Sequence, residues 1–246
     1  MRLDRLLVER GLAPSRERAQ RLVMAGDVIV DDHVVSKPGT EVDDGAVVRL
    51  RAAASQYVSR GGEKLAGALD AFGIDPGGRV VLDVGASTGG FTDVCLRRGA
   101  RRVFAVDVGY GQLAWGLRQD PRVVVVDRTN ARRLVPDLFS ESPDLAVVDV
   151  SFISLALVLP AVAGVLAPRA DIVALVKPQF EVGKGEVGKG GVVRDDTKRA
   201  EAVLRVREAM VRERFTVRGE AESVLAGPKG NREIFLWASR GIERSD

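Results

Sequence analysis

Five polar side chains end apolar runs: Asp83, Asp107, Asp127, Asp149 and Lys177. In sheets of parallel strands, the carboxyl ends of the strands are where ligands bind. Asp149 lies in LAVVDVSF and Lys177 in IVALVKPQF, and neighbouring strands would bring the two within ion-pair reach. A lysine ending a buried strand is costly unless paired. One use for such a pair is alkylation of a hydroxyl, in which the oxygen must lie in line with a methyl group and lose its proton. A lysine there can act as base or steady the alkoxide. Lys64 can supply a second cation and Glu233 can orient a lysine. The plainer alternative is a structural salt bridge at the edge of the sheet.

The methyl donor has its own signal. Residues 79–93 read RVVLDVGASTGGFTD, an apolar strand, a turn of small residues and a helix start near Phe91. A second strand, RVFAVDV, ends about twenty residues beyond the glycines at Asp107, where a carboxylate accepts from ribose hydroxyls in a nucleotide-binding βαβ unit. The dinucleotide fingerprint is incomplete, because Ser87 stands between Gly85 and Gly89 where a glycine belongs. Asp83 can meet an ammonium group rather than a pyrophosphate. Both features favour S-adenosylmethionine over NAD.

Strands are expected at 79–84, 102–108, 122–127, 144–150 and 171–177, with helical patterns between them. That alternation predicts an α/β fold, a doubly wound, mostly parallel, Rossmann-like sheet. The tail departs from it: a charged helix over 197–214 and two strand-like runs, 215–224 and 233–239, predict an antiparallel C-terminal pair closing the sheet. Residues 153–167 form the longest apolar stretch, too short to span a bilayer, and read as a buried helix. The 46% of hydrophobic residues among 246 allow a sizeable core. A net charge of +3 leaves any nucleic-acid surface to local clustering. The single histidine, His33, excludes a histidine-based zinc site, and no metal site is expected. The single cysteine, Cys95, excludes an internal disulfide, fits a reducing cytoplasm and reads as a core residue.

Residues 1–56 look like a separate α+β domain and linker, with 57–246 as the sheet domain. Two short helices, the second capped by Ser15, precede small strands within 27–35 and 41–50. Arg2, Arg5, Arg10, Arg16, Arg18 and Arg21 lie on the helical part, and Asp27, Asp31, Asp32, Glu41, Asp43 and Asp44 on the strand part. Arg2, Arg5, Arg16, Arg18 and Arg21 are candidate phosphate contacts, the plainer alternative being a solvated arginine surface. The order of elements resembles the αL RNA-binding domain of a small-subunit ribosomal protein. Farther along, GKGEVGKGG at 183–191 approaches a P-loop, but Gly190 replaces the magnesium-binding Ser or Thr. A glycine-rich lid offering Lys184 and Lys189 to RNA is the preferred reading.

SRGGEKL, DVGASTGGFTD, VDVGYGQL, DVSFISL, LVKPQFE and PKGNREIF together resemble the TlyA family of hemolysin-like ribosomal RNA methyltransferases, whose catalytic domain is similar to FtsJ-type 2′-O-methyltransferases. The resemblance implies a catalytic tetrad of Lys64, Asp149, Lys177 and Glu233. It adds Asp127 to the cofactor set of Asp83, Gly85, Ser87, Gly89 and Asp107. It also implies ribosomal RNA in assembled subunits as partner and cytidine as the modified nucleotide; with no amphipathic or spanning segment evident in the sequence, no membrane partner is expected, and a monomer is favoured. Ser87-Thr88 departs from the Ala-Pro usual in FtsJ-type chains. Two rivals stand beside this reading: a membrane-active hemolysin and a non-catalytic RNA-binding factor.

Overall fold

Alternate residues of a buried strand turn to opposite faces, and here each face carries its own core. The computed structural model describes all residues except 32, 44, 51–55, 184–186, 189, 228–229 and 242–246. It divides into two compact units, Met1–Gln56 and Tyr57–Asp246.

In the first unit, α1 (Leu3–Glu9) and α2 (Arg16–Met24) precede β1 (Val28–Val30), β2 (His33–Val34) and β3 (Val48–Leu50), which form an antiparallel sheet ordered β2-β1-β3. The Ser15 hydroxyl accepts from the Arg18 backbone N–H and starts α2. Leu3, Leu7, Ala19 and Val23 fill the interior.

In the second unit, α3 (Arg60–Phe72) leads into β4 (Val80–Val84), α4 (Gly90–Arg97), β5 (Arg102–Val106), α5 (Trp115–Arg118), β6 (Val123–Val126) and β7 (Leu145–Val148). Then come α6 (Leu159–Val165), β8 (Ala170–Val176), α7 (Pro178–Glu181), α8 (Asp196–Arg212), β9 (Thr216–Glu222) and β10 (Ile234–Arg240). The sheet order is β6-β5-β4-β7-β8-β10-β9. Strands β4 to β8 are parallel, and β10 is antiparallel to both β8 and β9. The chain winds outward from β4 through β5 and β6, then resumes at β7 on the other side of β4. The switch point therefore lies between β4 and β7, where such sheets bind ligands. Val80, Leu82 and Val84 face a core with α6 and α8, while Val81 faces a core with α3 and α4. The outer strand β9 alternates half-buried and exposed residues, with Arg218, Glu220 and Glu222 along an edge that would otherwise invite pairing. The stretch 153–167 is not one helix. Pro160 occupies the first turn of α6, and a 3₁₀ turn, Leu155–Leu157, precedes it; proline suits a helix start and not its interior. Among the described residues, no helix is long and apolar enough to cross a membrane.

The amino ends of the strands are fixed by an ion network. Arg79 Nε lies 3.0 Å from Asp144 Oδ1, and Arg79 Nη1 lies 2.8 Å from Asp171 Oδ2. The Trp237 indole donates to Asp171 Oδ1 at 2.8 Å. Asp171 is 1% exposed, so removing the guanidinium would strand a buried charge. Arg79→Met is therefore expected to cost about 3–5 kcal/mol, read as a lower urea midpoint for the 57–246 unit; an unchanged midpoint would show the network to be dispensable.

Candidate active site

Opposite that network, a cleft of about 530 Å³ opens at the carboxyl edge of the sheet. Lys64, Asp149, Lys177 and Glu233 all line it, together with Gly85, Ala86, Ser87 and Thr88 of the turn after β4. The four polar residues come from four elements. Lys64 sits in the second turn of α3, Asp149 follows β7, Lys177 links β8 to α7, and Glu233 precedes β10.

They form two cation–carboxylate pairs. Lys64 Nζ donates to Glu233 Oε2 at 2.5 Å. Lys177 Nζ forms an ion pair with Asp149 Oδ1 and donates to Ser151 Oγ at 2.9 Å. The Asp149 contact is close without an aligned hydrogen bond, so it counts as Coulombic. Lys177 is 9% exposed and Glu233 1%, so both pairs work in partly dehydrated surroundings, where attraction is stronger than in water. Gly227 packs against Glu233: a Cβ there would collide with the carboxylate. Among the described residues, Glu233 Oε1 has no hydrogen-bond partner.

The turn itself is tightly built. Gly85 takes φ +87°, and a Cβ would strike the Asp149 carbonyl oxygen across the switch point. The glycine thus lets the turn lie against the Asp149 backbone. Ser87, also left-handed at φ +48°, carries a strain of about 1–2 kcal/mol that a glycine would avoid. Its N–H donates to Asp107 Oδ2 at 2.8 Å, and the Gly109 N–H donates to Asp107 Oδ1 at 2.7 Å. Asp107 clasps the two loops after β4 and β5 and retains lone pairs for further donors.

Other expected contacts sit elsewhere. Gly89 is buried at the start of α4, against Leu113 and Leu117, and is not on the cleft wall. Asp127 receives the Arg118 guanidinium at 2.7 Å and the Gly111 N–H at 3.1 Å, and like Asp107 it is not among the residues that line the cleft. Asp83 is fully buried, with Oδ2 accepting from Thr92 Oγ1 at 2.6 Å and Oδ1 without a hydrogen-bond partner among the described residues. Burial pushes its carboxyl up to about 7, against the Thr92 hydrogen bond and with the charges of Asp149 and Asp107 adding to the rise. An unmatched buried oxygen under a glycine turn fits a ligand that brings a donor, such as an ammonium group.

In the first unit, Arg2 and Arg16 pair with Asp4, which is fully buried, at 3.1 and 2.9 Å, and Gln20 donates to it at 2.9 Å. Hydrogen bonds from Arg2, Gln20 and Arg16 hold that carboxyl well below the usual range despite its burial. The expected division into basic helices and acidic strands is thus incomplete, because Asp4 on α1 is the acid that orders two of the arginines. Arg5 and Arg21 are exposed, Arg21 lying 3.7 Å from Glu17, and Arg18 is half-buried. Lys184 and Lys189 lie outside the described residues.

Three contributors escaped the sequence reading. Ser151 touches Lys177. Phe152 is 90% exposed in left-handed backbone at φ +63° and packs against Phe180, the rings tilted by 49° with centroids 5.1 Å apart. Asn231 is buried and ties the chain at Gly191 and Val193 beside Gly227. The signal available for Phe152 was an aromatic three residues beyond Asp149, where the apolar run ends.

The FtsJ-like methyltransferase model matches residues 57–240, and the S4 domain matches residues 1–48. The chain belongs to the FtsJ-like methyltransferase family. This FtsJ-like methyltransferase is 53% identical, over 99% of its length and 91% of the relative's, to the 16S/23S rRNA (cytidine-2′-O)-methyltransferase TlyA of Mycobacterium tuberculosis. It is 39% identical to Hemolysin A of Brachyspira hyodysenteriae, over 95% of this chain and 97% of that one. A solved structure described as a hemolysin from Streptococcus thermophilus superposes with a TM-score of 0.78 at 43% identity, covering 98% of this chain and 88% of that one.

Because Asp83 holds its proton up to about pH 7 in the folded state and releases it near pH 4 when unfolded, the folded state binds more protons between those values. Its contribution is full below pH ~4 and is lost as pH rises through about 7, roughly 4 kcal/mol in all for the ligand-free protein. Unfolding midpoints measured from pH 4 to 8 are expected to fall along this slope in the wild type and to flatten in Asp83→Asn; equal slopes would place the titration elsewhere.

Proposed function

We propose that this methyltransferase transfers the methyl group of S-adenosylmethionine to a ribose 2′-hydroxyl of ribosomal RNA, at cytidine. The observation that carries the reading is one cleft lined by both the Gly85–Thr88 turn and two lysine–carboxylate pairs. The names of the curated relatives supply the nucleotide and the RNA.

S-adenosylmethionine supplies an electrophilic methyl on a positive sulfur. Gly85 and Ser87 let it approach the backbone, Asp83 offers an unmatched oxygen to its ammonium, and Asp107 offers lone pairs to its ribose. Lys177 holds the attacking hydroxyl and accepts its proton as the new O–CH3 bond forms and the S–CH3 bond breaks. Asp149 keeps the resulting ammonium beside the cleft. Lys64, oriented by Glu233, adds positive charge where the oxygen becomes anionic. Phe152 presents a free ring face on which the base of an unpaired nucleotide can stack.

Arg5, Arg18 and Arg21, with Arg2 and Arg16 held by Asp4, are proposed to meet the RNA backbone, and Lys184 and Lys189 are proposed as further phosphate contacts. Folded RNA within a ribosomal subunit is the proposed substrate, met by a monomer in the cytoplasm. With tritiated cofactor and purified subunits, Lys177→Ala is expected to lose at least 100-fold in methyl transfer while binding S-adenosylhomocysteine as wild type does by calorimetry. Label on a base rather than a ribose, read by nucleoside mass spectrometry, would overturn the proposal.

A further inference from the structure

Lys177 has a polar neighbour that the two ion pairs leave out. Its Nζ donates to Ser151 Oγ at 2.9 Å, and while Lys177 is buried, Ser151 is exposed. One N–H is directed at Ser151, and Asp149 holds the nitrogen by charge without an aligned hydrogen bond. As the base, Lys177 meets the ribose hydroxyl as a neutral amine, whose lone pair is left for the incoming proton. A hydroxyl, which both accepts and donates, then joins a buried nitrogen to solvent.

The turn that follows Ser151 is anchored to the helix after Lys177. Glu181 accepts from Ser154 Oγ at 2.5 Å and from the Leu155 N–H at 2.7 Å. Glu181 belongs to α7, the short helix that Lys177 caps. Both ends of the Lys177–Ser151 bond therefore adjoin one hydrogen-bonded corner. Glu181 is 4% exposed, and burial raises its carboxyl against the hydrogen bonds of Ser154 and Leu155 and the charge of Arg205. Left-handed Phe152 turns the chain between Ser151 and this anchor.

We propose that Ser151 is a positioning residue for Lys177 and the exit by which the proton taken from the ribose hydroxyl reaches water. The inference rests on Lys177 being the base. In the transfer, the ribose O–H bond breaks toward Nζ, the O–CH3 bond forms, and sulfur keeps the electron pair of the broken S–CH3 bond. In the return step, Nζ–H passes its proton to Ser151 Oγ as the Ser151 hydroxyl passes its own to a water molecule. The lysine is neutral again, and no further reactant is consumed.

Single-turnover and steady-state methylation of ribosomal subunits by full-length Ser151→Ala, Ser151→Thr and Lys177→Ala, in water and in deuterium oxide, tests this, the steady state reading the return step. Ser151→Ala is expected to lose ten- to a hundredfold, on the order expected for misplacing a general base, in the rate constant. Its KM for RNA and its calorimetric affinity for S-adenosylhomocysteine should stay within about twofold of wild type. Ser151→Thr, which keeps the hydroxyl, should recover most of the rate. Ser151→Ala with the wild-type rate constant and solvent isotope effect, alongside an inactive Lys177→Ala, would overturn the relay and leave the base intact. An active Lys177→Ala would remove the base itself, and the relay with it.

Discussion

Holding two ammonium groups beside two carboxylates, at the rim of a sheet whose strands are otherwise apolar, is the constraint on which the rest of the 57–246 unit depends. Lone buried charges are costly, so each lysine comes with a carboxylate: Lys177 with Asp149, and Lys64 with Glu233. The topology makes this possible. Winding outward from β4 in both directions places the ends of β4 and β7 side by side, and the antiparallel return of β10 brings Glu233 to the same edge. A sheet wound in one direction only would have no such switch point. At its amino end the sheet is fixed by Arg79 and Asp171, which set the register that the functional edge requires.

The site is also crowded in a way that explains its small residues. Gly85 touches the Asp149 backbone, and Gly227 touches the Glu233 carboxylate. These contacts make the cleft a product of close backbone approach as much as of side-chain chemistry. Ser87 shows the same pressure from the other side, holding a left-handed conformation that favours glycine. Its N–H is drawn to Asp107, which offsets part of that strain.

Much of this was legible in the sequence. Apolar runs ending in Asp83, Asp107, Asp149 and Lys177 marked strands and edge together, because burial forces apolar strands and a ligand edge requires polar ends. The antiparallel return was legible in two strand-like runs after the last long helix. Other features depended on register or on contacts between distant segments. Arg79 meets Asp171 only once β4, β7 and β8 are aligned. Asp127 sits at a strand end, as ligand-binding carboxylates do, yet Arg118 from α5 occupies it. The role of Asp4 was not legible, because it needs the packing of α2 on α1 to add Arg16 and Gln20 to the neighbouring Arg2. The split of 153–167 was foreshadowed by Pro160 but masked by the continuous apolar composition around it.

The most direct measurement is a crystal structure of the protein with S-adenosylhomocysteine, its sulfur located by anomalous scattering. The sulfur is predicted to lie in the cleft between the Gly85–Thr88 turn and Lys177, with the amino acid end toward Asp83 and the ribose toward Asp107. A sulfur outside that cleft, or Lys177 and Asp149 directed away from it, would contradict the assignment of this edge as the methyl-transfer site.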